Sequence, residues 1–305
     1  MKTTSVTFPN YSIEINRTVP VAFLGSCFSE HLSRKLNENK FSVVSNPLGV
    51  IFNPMSLAYI LELESEKLIA NNFERNNVWL NWSANATIFG YSNEALEKVI
   101  RDNLALFQDR LSASNVLFVT FGSAWVYEHL SNSAIVANCH KQPSRDFNKR
   151  LLSSDEIVGQ WTKTIRQLNK NYPALNIVFT VSPVRHIKDG VVDNTRSKSI
   201  LLEAVHQLTE KFSQVEYFPV YEFFMDELRD YAYYKKDGIH PNEIAIDLVW
   251  EKFEHAFFGN ETKAWLHEFQ RLTQQLEHRP LHPDSVEAKE FVAKAQREME
   301  TFLAG

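Results

Sequence analysis

The sequence predicts an α/β protein, a three-layer αβα sandwich around a parallel sheet of about five strands. Two observations carry that expectation. Five short runs rich in Val, Ile and Phe recur along the chain, at residues 19–24, 41–45, 115–121, 176–181 and 215–220. Their length and β-branched content suit buried strands. Between them lie segments with helical periodicity, and strands that alternate with helices build a parallel sheet covered on both faces. The first helix is expected over residues 29–39, with Phe28, Leu32 and Leu36 on one side. The next, over 93–111, places Leu96, Val99, Ile100, Leu104 and Phe107 together. Residues 154–168, 197–212 and 243–258 follow the same pattern.

Two insertions break the alternation. Residues 73–92 carry Trp79, Trp82, Phe89 and Tyr91 among asparagines and read as a small antiparallel flap or an irregular lid. Residues 131–150 read as a polar loop that holds Asn138-Cys139-His140-Lys141. Beyond Phe258 two charged amphipathic helices are expected, at 262–277 and 285–303, separated by Pro280 and Pro283. The expected division is a catalytic domain over 1–260 and a helical extension over 261–305, the extension packing on the domain or on a second copy of the chain in a homo-oligomer.

Composition narrows the classes of function. The 305 residues are 44% hydrophobic and 23% charged, with a net charge of -5. An acidic balance with scattered Lys and Arg argues against a nucleic-acid partner. No stretch approaches the roughly 20 apolar residues of a membrane span, and residues 1–20 hold no apolar run of signal-peptide length. The two cysteines, Cys27 and Cys139, build no disulfide framework and fit a reducing compartment. A cytoplasmic location, no membrane partner and no cofactor are therefore expected. The ten histidines show no metal-ligand spacing, so no metal is expected either.

Two segments carry chemistry. The run Val21-Ala22-Phe23-Leu24-Gly25-Ser26-Cys27-Phe28-Ser29 is a strand that ends in glycine and passes at once into a helix. In open parallel sheets, ligands bind at the carboxyl ends of strands. Ser26 or Cys27 then occupies a helix N-terminus, where free N–H groups favour an anion and would lower a thiol pKa. The structural alternative is that Ser26 caps the helix and Cys27 is a small buried hydrophobe. The second segment, Asp237-Gly238-Ile239-His240-Pro241-Asn242, precedes a helix. A carboxylate three residues before a histidine can fold back and fix one imidazole tautomer, which makes His240 a general base. Its structural alternative is a helix-entry turn capped by Asn242.

Together, a nucleophile after the first strand and Asp-x-x-His before the last core helix resemble the layout of SGNH, or GDSL-type, hydrolases. More narrowly, the chain resembles the bacterial GSCFA family. The family motif reads Gly25-Ser26-Cys27-Phe28-Ser29 here, with Ser29 in place of alanine. Asn46-Pro47-Leu48-Gly49, Phe52-Asn53-Pro54, Asn138 to Pro143, Val181 to His186 and Asp237 to Asn242 resemble it as well. The resemblance implies an SGNH-hydrolase-like, flavodoxin-like sheet and assigns roles. In the gapless register Cys27 takes the nucleophile position; a one-residue shift gives it to Ser26. Asp237 and His240 form the acid-base pair. Gly49 matches the second block of the oxyanion hole. The third block, Gly-x-Asn-Asp, departs: it reads Gly122-Ser123-Ala124-Trp125, so Ser123 or Asn138 is the expected substitute. His140, Arg185 and His186 are expected at the substrate, Arg185 as a clamp for a carboxylate or phosphate.

The expected function is hydrolysis or transfer of an acyl group on an oxygen ester, with a small-molecule or carbohydrate ester as substrate. A thioester-dependent (coenzyme A) acyltransferase and a non-catalytic binding module on the same fold are the alternatives.

Overall fold

A computed structural model describes residues 4–62 and 64–304; residues 1–3, 63 and 305 lie outside the described residues. Strand β1 (Val21–Gly25) runs into helix α1 (Cys27–Glu38) and then β2 (Val43–Ser45). Helices α2 (Pro54–Glu62) and α3 (Ser65–Ile69) lead to a hairpin of β3 (Asn72–Arg75) and β4 (Val78–Asn81). Helix α4 (Asn93–Ser112) precedes β5 (Val116–Phe121), which is followed by β6 (Trp125–His129), β7 (Ala134–Val136) and β8 (Phe147–Leu151). Helix α5 (Ser154–Asn171), β9 (Asn176–Val181), α6 (Val191–Lys211) and β10 (Val215–Tyr217) complete the alternation. A single turn α7 (Val220–Glu222) continues into a π-turn at Phe223–Glu227, and α8 (Glu243–Phe257), α9 (Asn260–Glu277) and α10 (Val286–Ala304) end the chain.

The main sheet is parallel, in the order β10-β9-β5-β1-β2. In sequence rank its five strands run 2-1-3-4-5, the flavodoxin-like order, whose direction reverses between β1 and β5. The expected three-layer αβα sandwich is therefore the observed one. Alternation along each strand divides the core. On one face Ala22, Leu24, Leu117, Val119 and Phe121 pack under α4, α5 and α6. On the other, Val21, Phe23, Val116, Phe118 and Val178 pack under α1 and α8. Phe23 and Phe118 stack at 5.0 Å across neighbouring strands. The periodic residues behave as expected except Val99, which is exposed at the rim of α4.

The insertions depart from the sequence reading. The first is the expected small antiparallel flap, joined through Trp79 to Gly90. The second is a polar loop only in part: Asn138 to Lys141 lie in a turn between β7 and β8, two strands of a three-stranded antiparallel sheet in the order β7-β6-β8. The strands are short, and the run Asn148-Lys149-Arg150 in β8 hid its period from the sequence. Helix α6 also starts six residues before its expected position, at Val191, because Val191 and Val192 are exposed apolar residues outside the periodic stripe. The terminal pair α9 and α10 pack on each other through Trp265 and Phe302. Helix α9 is tied to the start of the chain: the Thr262 hydroxyl donates to the Ile15 carbonyl at 3.1 Å. Among the described residues, no helix is long and apolar enough to cross a membrane.

The end of β1 is the tightest point in the fold. Gly25 adopts φ +138°, and a Cβ there would lie 2.3 Å from the Thr120 carbonyl oxygen of β5. Only glycine fits both the angle and the space. We expect Gly25→Ala to destabilise the fold by roughly 3 kcal/mol or more; urea denaturation that finds a loss under about 1 kcal/mol would contradict this.

Candidate functional site

The site is built where β1 and β5 part. The Ser26 N–H donates to the Thr120 carbonyl at 3.2 Å, which extends the β1–β5 pairing by one residue before α1 begins. Ser26 is the N-cap of α1; its hydroxyl accepts from the Phe28 N–H at 3.3 Å, and the residue is 1% exposed. Its oxygen is spent inside the protein. Cys27, the first helical residue, is only partly buried and lines an open cleft with Glu30, His31, Arg34, Lys235 and His240. The two residues that the sequence left competing thus occupy different environments.

Helix α1 is fastened to the sheet next to this point. The Ser29 hydroxyl donates to Thr120 Oγ1 at 2.6 Å, with both residues buried. Gly25 N–H donates to Asn46 Oδ1 at 2.8 Å, and Asn46 itself adopts a positive φ of 43°. Its Nδ2 is buried with no partner among the described atoms. A buried amide donor without an acceptor is uncommon, and this one sits beside the Gly25–Cys27 turn.

The turn from Asp237 to His240 is equally defined. Asp237 Oδ2 accepts from His240 Nδ1 at 2.7 Å, while Oδ1 accepts from the N–H groups of Ile239 and His240 at 2.8 and 3.0 Å. Gly238 takes φ +68° at the bend, and the Lys235 N–H donates to the His240 carbonyl at 2.7 Å. Asn242 then caps α8 by accepting from the Ala245 N–H at 3.0 Å. With Nδ1–H directed at the carboxylate, Nε2 of His240 is left as the acceptor. The N–H groups of His240 and Ile239, followed by the imidazole, pull the Asp237 carboxyl from an ordinary 3.8 to about 2.

The Cys27 thiol differs from expectation. The helix terminus suggests a lowered pKa, yet burial and then Glu30 push it above the ordinary thiol value. The local N–H groups and Lys198 act the other way, more weakly. The resting group is a thiol, so a base is needed. His31, one turn along α1, is held neutral: burial, Arg34, Lys235 and His240 depress it to about 4. The cleft therefore contains two imidazoles, and the sequence reading overlooked His31 because its i+4 spacing from Cys27 resembles an ordinary helix surface.

Several expected site residues are engaged elsewhere. The Gly49 N–H donates to the Asn46 carbonyl at 2.9 Å, inside its own turn, so the expected oxyanion donor is already spent. Ser123 Oγ accepts from the Trp125 N–H at 3.1 Å and meets Ser197 Oγ at 3.3 Å, away from the cleft. Asn138 Oδ1 accepts from the His140 N–H at 2.7 Å, a local turn. His140 is buried beside Phe73 and Trp82, with Nε2 at 2.8 Å from the Asn81 carbonyl. It anchors the small hairpin and does not join Cys27 in the cleft. Cys139 is pushed up to about 11 by burial. His186 stacks edge-on against Phe52 at 5.3 Å, and its N–H donates to Asn194. Arg185, from the loop after β9, lines a separate depression with Phe224, Met225, Tyr231 and Tyr234, which belong to the segment that leads into the Asp237 turn.

The most conspicuous residue that the sequence did not mark is Lys198. It is fully buried on α6, and its Nζ donates to the carbonyls of Gly122 and Ser182, both at 2.6 Å. Nothing in a helical Lys within Arg196-Ser197-Lys198-Ser199 distinguishes it from a solvated one. For the Asp237–His240 pair the expectation is direct. The folded-state pKa lies below the unfolded one, so the carboxylate's contribution is complete above about pH 4 and is lost as pH falls towards 2. Carboxyl carbon NMR is expected to show Asp237 titrating near pH 2; an ordinary midpoint near 3.8 would mean that the turn does not hold.

No curated protein matches the chain. Among solved structures, it is similar to a Streptococcus pneumonia protein provisionally described as a platelet activating factor, at 12% identity and TM-score 0.38, over 79% of this chain and 86% of that one. It is also similar to an acetyl xylan esterase from the rumen bacterium Butyrivibrio proteoclasticus, at 10% identity and TM-score 0.37, over 82% of this chain and 66% of the other. At TM-scores below 0.5 neither similarity fixes the chain's activity. The match to a family model is of a different order: it runs from residue 20 to residue 253, from the residue before β1 to within the last turns of α8. The chain belongs to the GSCFA family.

Proposed function

We propose that the protein is an SGNH-type acyl hydrolase, acting on an oxygen ester with Cys27 as nucleophile and His240 as general acid-base. One observation carries the reading: Cys27 and His240, from opposite ends of the matched region, line the same cleft, while Asp237 fixes the tautomer of His240. Ser26 is a poor rival, since its hydroxyl is buried and capping α1.

In this mechanism His240 Nε2 takes the Cys27 proton as sulfur attacks the ester carbonyl, then returns it to the departing alkoxide. The acyl group is left as a thioester. Water, activated by the same imidazole, releases the acid and restores the thiol. Asp237 stabilises the imidazolium and stays ionised throughout. With Gly49 and Ser123 engaged, the donors proposed for the oxyanion are the Cys27 N–H at the open end of α1 and the unpartnered Asn46 Nδ2. Arg185 and the aromatic wall beside it are proposed to receive the rest of the substrate, a carbohydrate ester being one class that such a wall suits.

The test is a panel of short-chain aryl esters and acyl thioesters. Cys27→Ala and His240→Ala are each expected to lower kcat/KM by about 10²- to 10⁴-fold. Ser26→Ala is expected to retain most of the activity while losing about 1 kcal/mol of stability with the helix cap. Full activity in His240→Ala, or a dead Ser26→Ala beside an active Cys27→Ala, would overturn these assignments.

A further inference from the structure

His31 is the cleft residue that the proposed mechanism leaves without a task. It is partly buried on α1 and lines the cleft together with Cys27 and His240. Helical spacing places it. Residues four apart on a helix are neighbours, with Cβ atoms roughly 5–6 Å apart. Each Cα–Cβ bond also tilts towards the helix N-terminus, so a side chain covers the turn before its own Cα. The imidazole of His31 therefore leans over the first turn of α1, where Cys27 stands.

A neighbour sets its tautomer. Arg34 Nη2 donates to His31 Nδ1 at 3.3 Å. A guanidinium has only N–H donors and no acceptor, so Nδ1 must offer its lone pair. In the neutral ring the proton is then on Nε2. Burial first, and then the charges of Arg34, Lys235 and His240, keep the ring neutral. The cleft thus holds two imidazoles in opposite states. His240 has Nδ1–H on the Asp237 carboxylate and a lone pair at Nε2, whereas His31 has its lone pair on Arg34 and a proton at Nε2. One can accept a proton; the other can give a hydrogen bond. The remaining cleft side chains suit that second task less well. Glu30 is an acceptor, Ser33 Oγ donates to the Glu30 carbonyl at 3.2 Å, Asn37 lies near the far end of α1, and Lys235 is exposed.

We propose that His31 is a further catalytic residue: its Nε2–H is the side-chain donor that stabilises the oxyanion formed when Cys27 attacks the ester carbonyl. The inference rests on the Cys27–His240 chemistry of the proposed function. It supplies the contact that Gly49 and Ser123 cannot make, since their polar groups are engaged elsewhere. No proton is transferred at His31. Sulfur bonds to the carbonyl carbon, the C=O electron pair moves onto oxygen, and the thiol proton passes to His240. When the bond to the departing alkoxide breaks, the carbonyl re-forms and His240 returns the proton to the alkoxide. A neutral imidazole N–H binds the oxyanion more strongly than the ground-state carbonyl, which lowers the barriers to acylation and deacylation alike.

The first measurement needs no substrate. Imidazole ¹⁵N NMR of the wild-type protein at neutral pH is expected to show His31 protonated at Nε2 and bare at Nδ1; a proton on Nδ1 overturns the proposal. The second compares variants on the aryl ester panel. His31→Phe keeps a flat ring and removes the donor. Its kcat is expected to fall by about 10²-fold with KM unchanged, as for a contact made only in the transition state. His31→Gln restores an N–H donor on a side chain of similar reach and is expected to recover about tenfold of that loss. Full kcat in a folded His31→Phe, or a change confined to KM, overturns the proposal. Should His31→Phe fail to fold, His31→Leu takes its place with the same two outcomes. The two readings fail distinguishably. If Cys27→Ala is inactive and His31→Phe is fully active, only the role of His31 falls. If Cys27→Ala keeps ester hydrolysis, the acyl chemistry falls and the role of His31 falls with it.

Discussion

The contact between the end of β1 and the Thr120 carbonyl governs this structure. It leaves no room for a side chain at Gly25 and bends the chain so that α1 starts two residues later. Thr120 serves three neighbours at once. Its carbonyl crowds Gly25 and accepts from the Ser26 N–H, and its hydroxyl accepts from Ser29. The direction of α1, the burial of Ser26 and the exposure of Cys27 to the cleft all follow. Ser29, where the family motif has alanine, is therefore no neutral replacement: its hydroxyl has a buried partner at hydrogen-bond distance.

The site combines two kinds of order. The Gly25–Cys27 turn is anchored in the sheet through backbone pairing and buried side chains. The turn from Asp237 to His240 is exposed and holds its shape by itself, through the Asp237 carboxylate, two N–H groups and the imidazole. Such a turn gains little from burial. It depends on local hydrogen bonds made by a charged acceptor, which are among the stronger ones. Its placement over α1 comes from α8, whose apolar residues pack against the same sheet face as Phe28, Leu32 and Leu36.

Much of the fold was legible because burial on both sheet faces writes itself as continuous apolar runs. Val21 to Leu24 and Val116 to Phe121 could hardly be anything but strands. The same is true of Asp237 and His240, whose spacing alone allows the observed contact. What was not legible depended on long-range neighbours. Gly49 lies in the expected block, yet its N–H is claimed by Asn46, three residues away. His140 sits in a family-like motif but is buried by Trp82 and Phe73 from a different segment. Lys198 carries no local mark at all; only the meeting of β5, β9 and α6 buries its amine against the Gly122 and Ser182 carbonyls. The Cys27 thiol illustrates the same limit. The helix terminus is a local feature that lowers its pKa, whereas the desolvation that outweighs it is supplied by the whole fold.

The position of β1 within the sheet has a consequence for synthesis. Gly25 and Cys27 are made first, but β1 is an interior strand whose partner β5 is translated some ninety residues later, and His240 later still. On a ribosome adding roughly 5 to 20 residues per second, Cys27 is made roughly ten to forty seconds before His240. The Cys27–His240 cleft is thus incomplete in the nascent chain until the turn before the last core helix emerges.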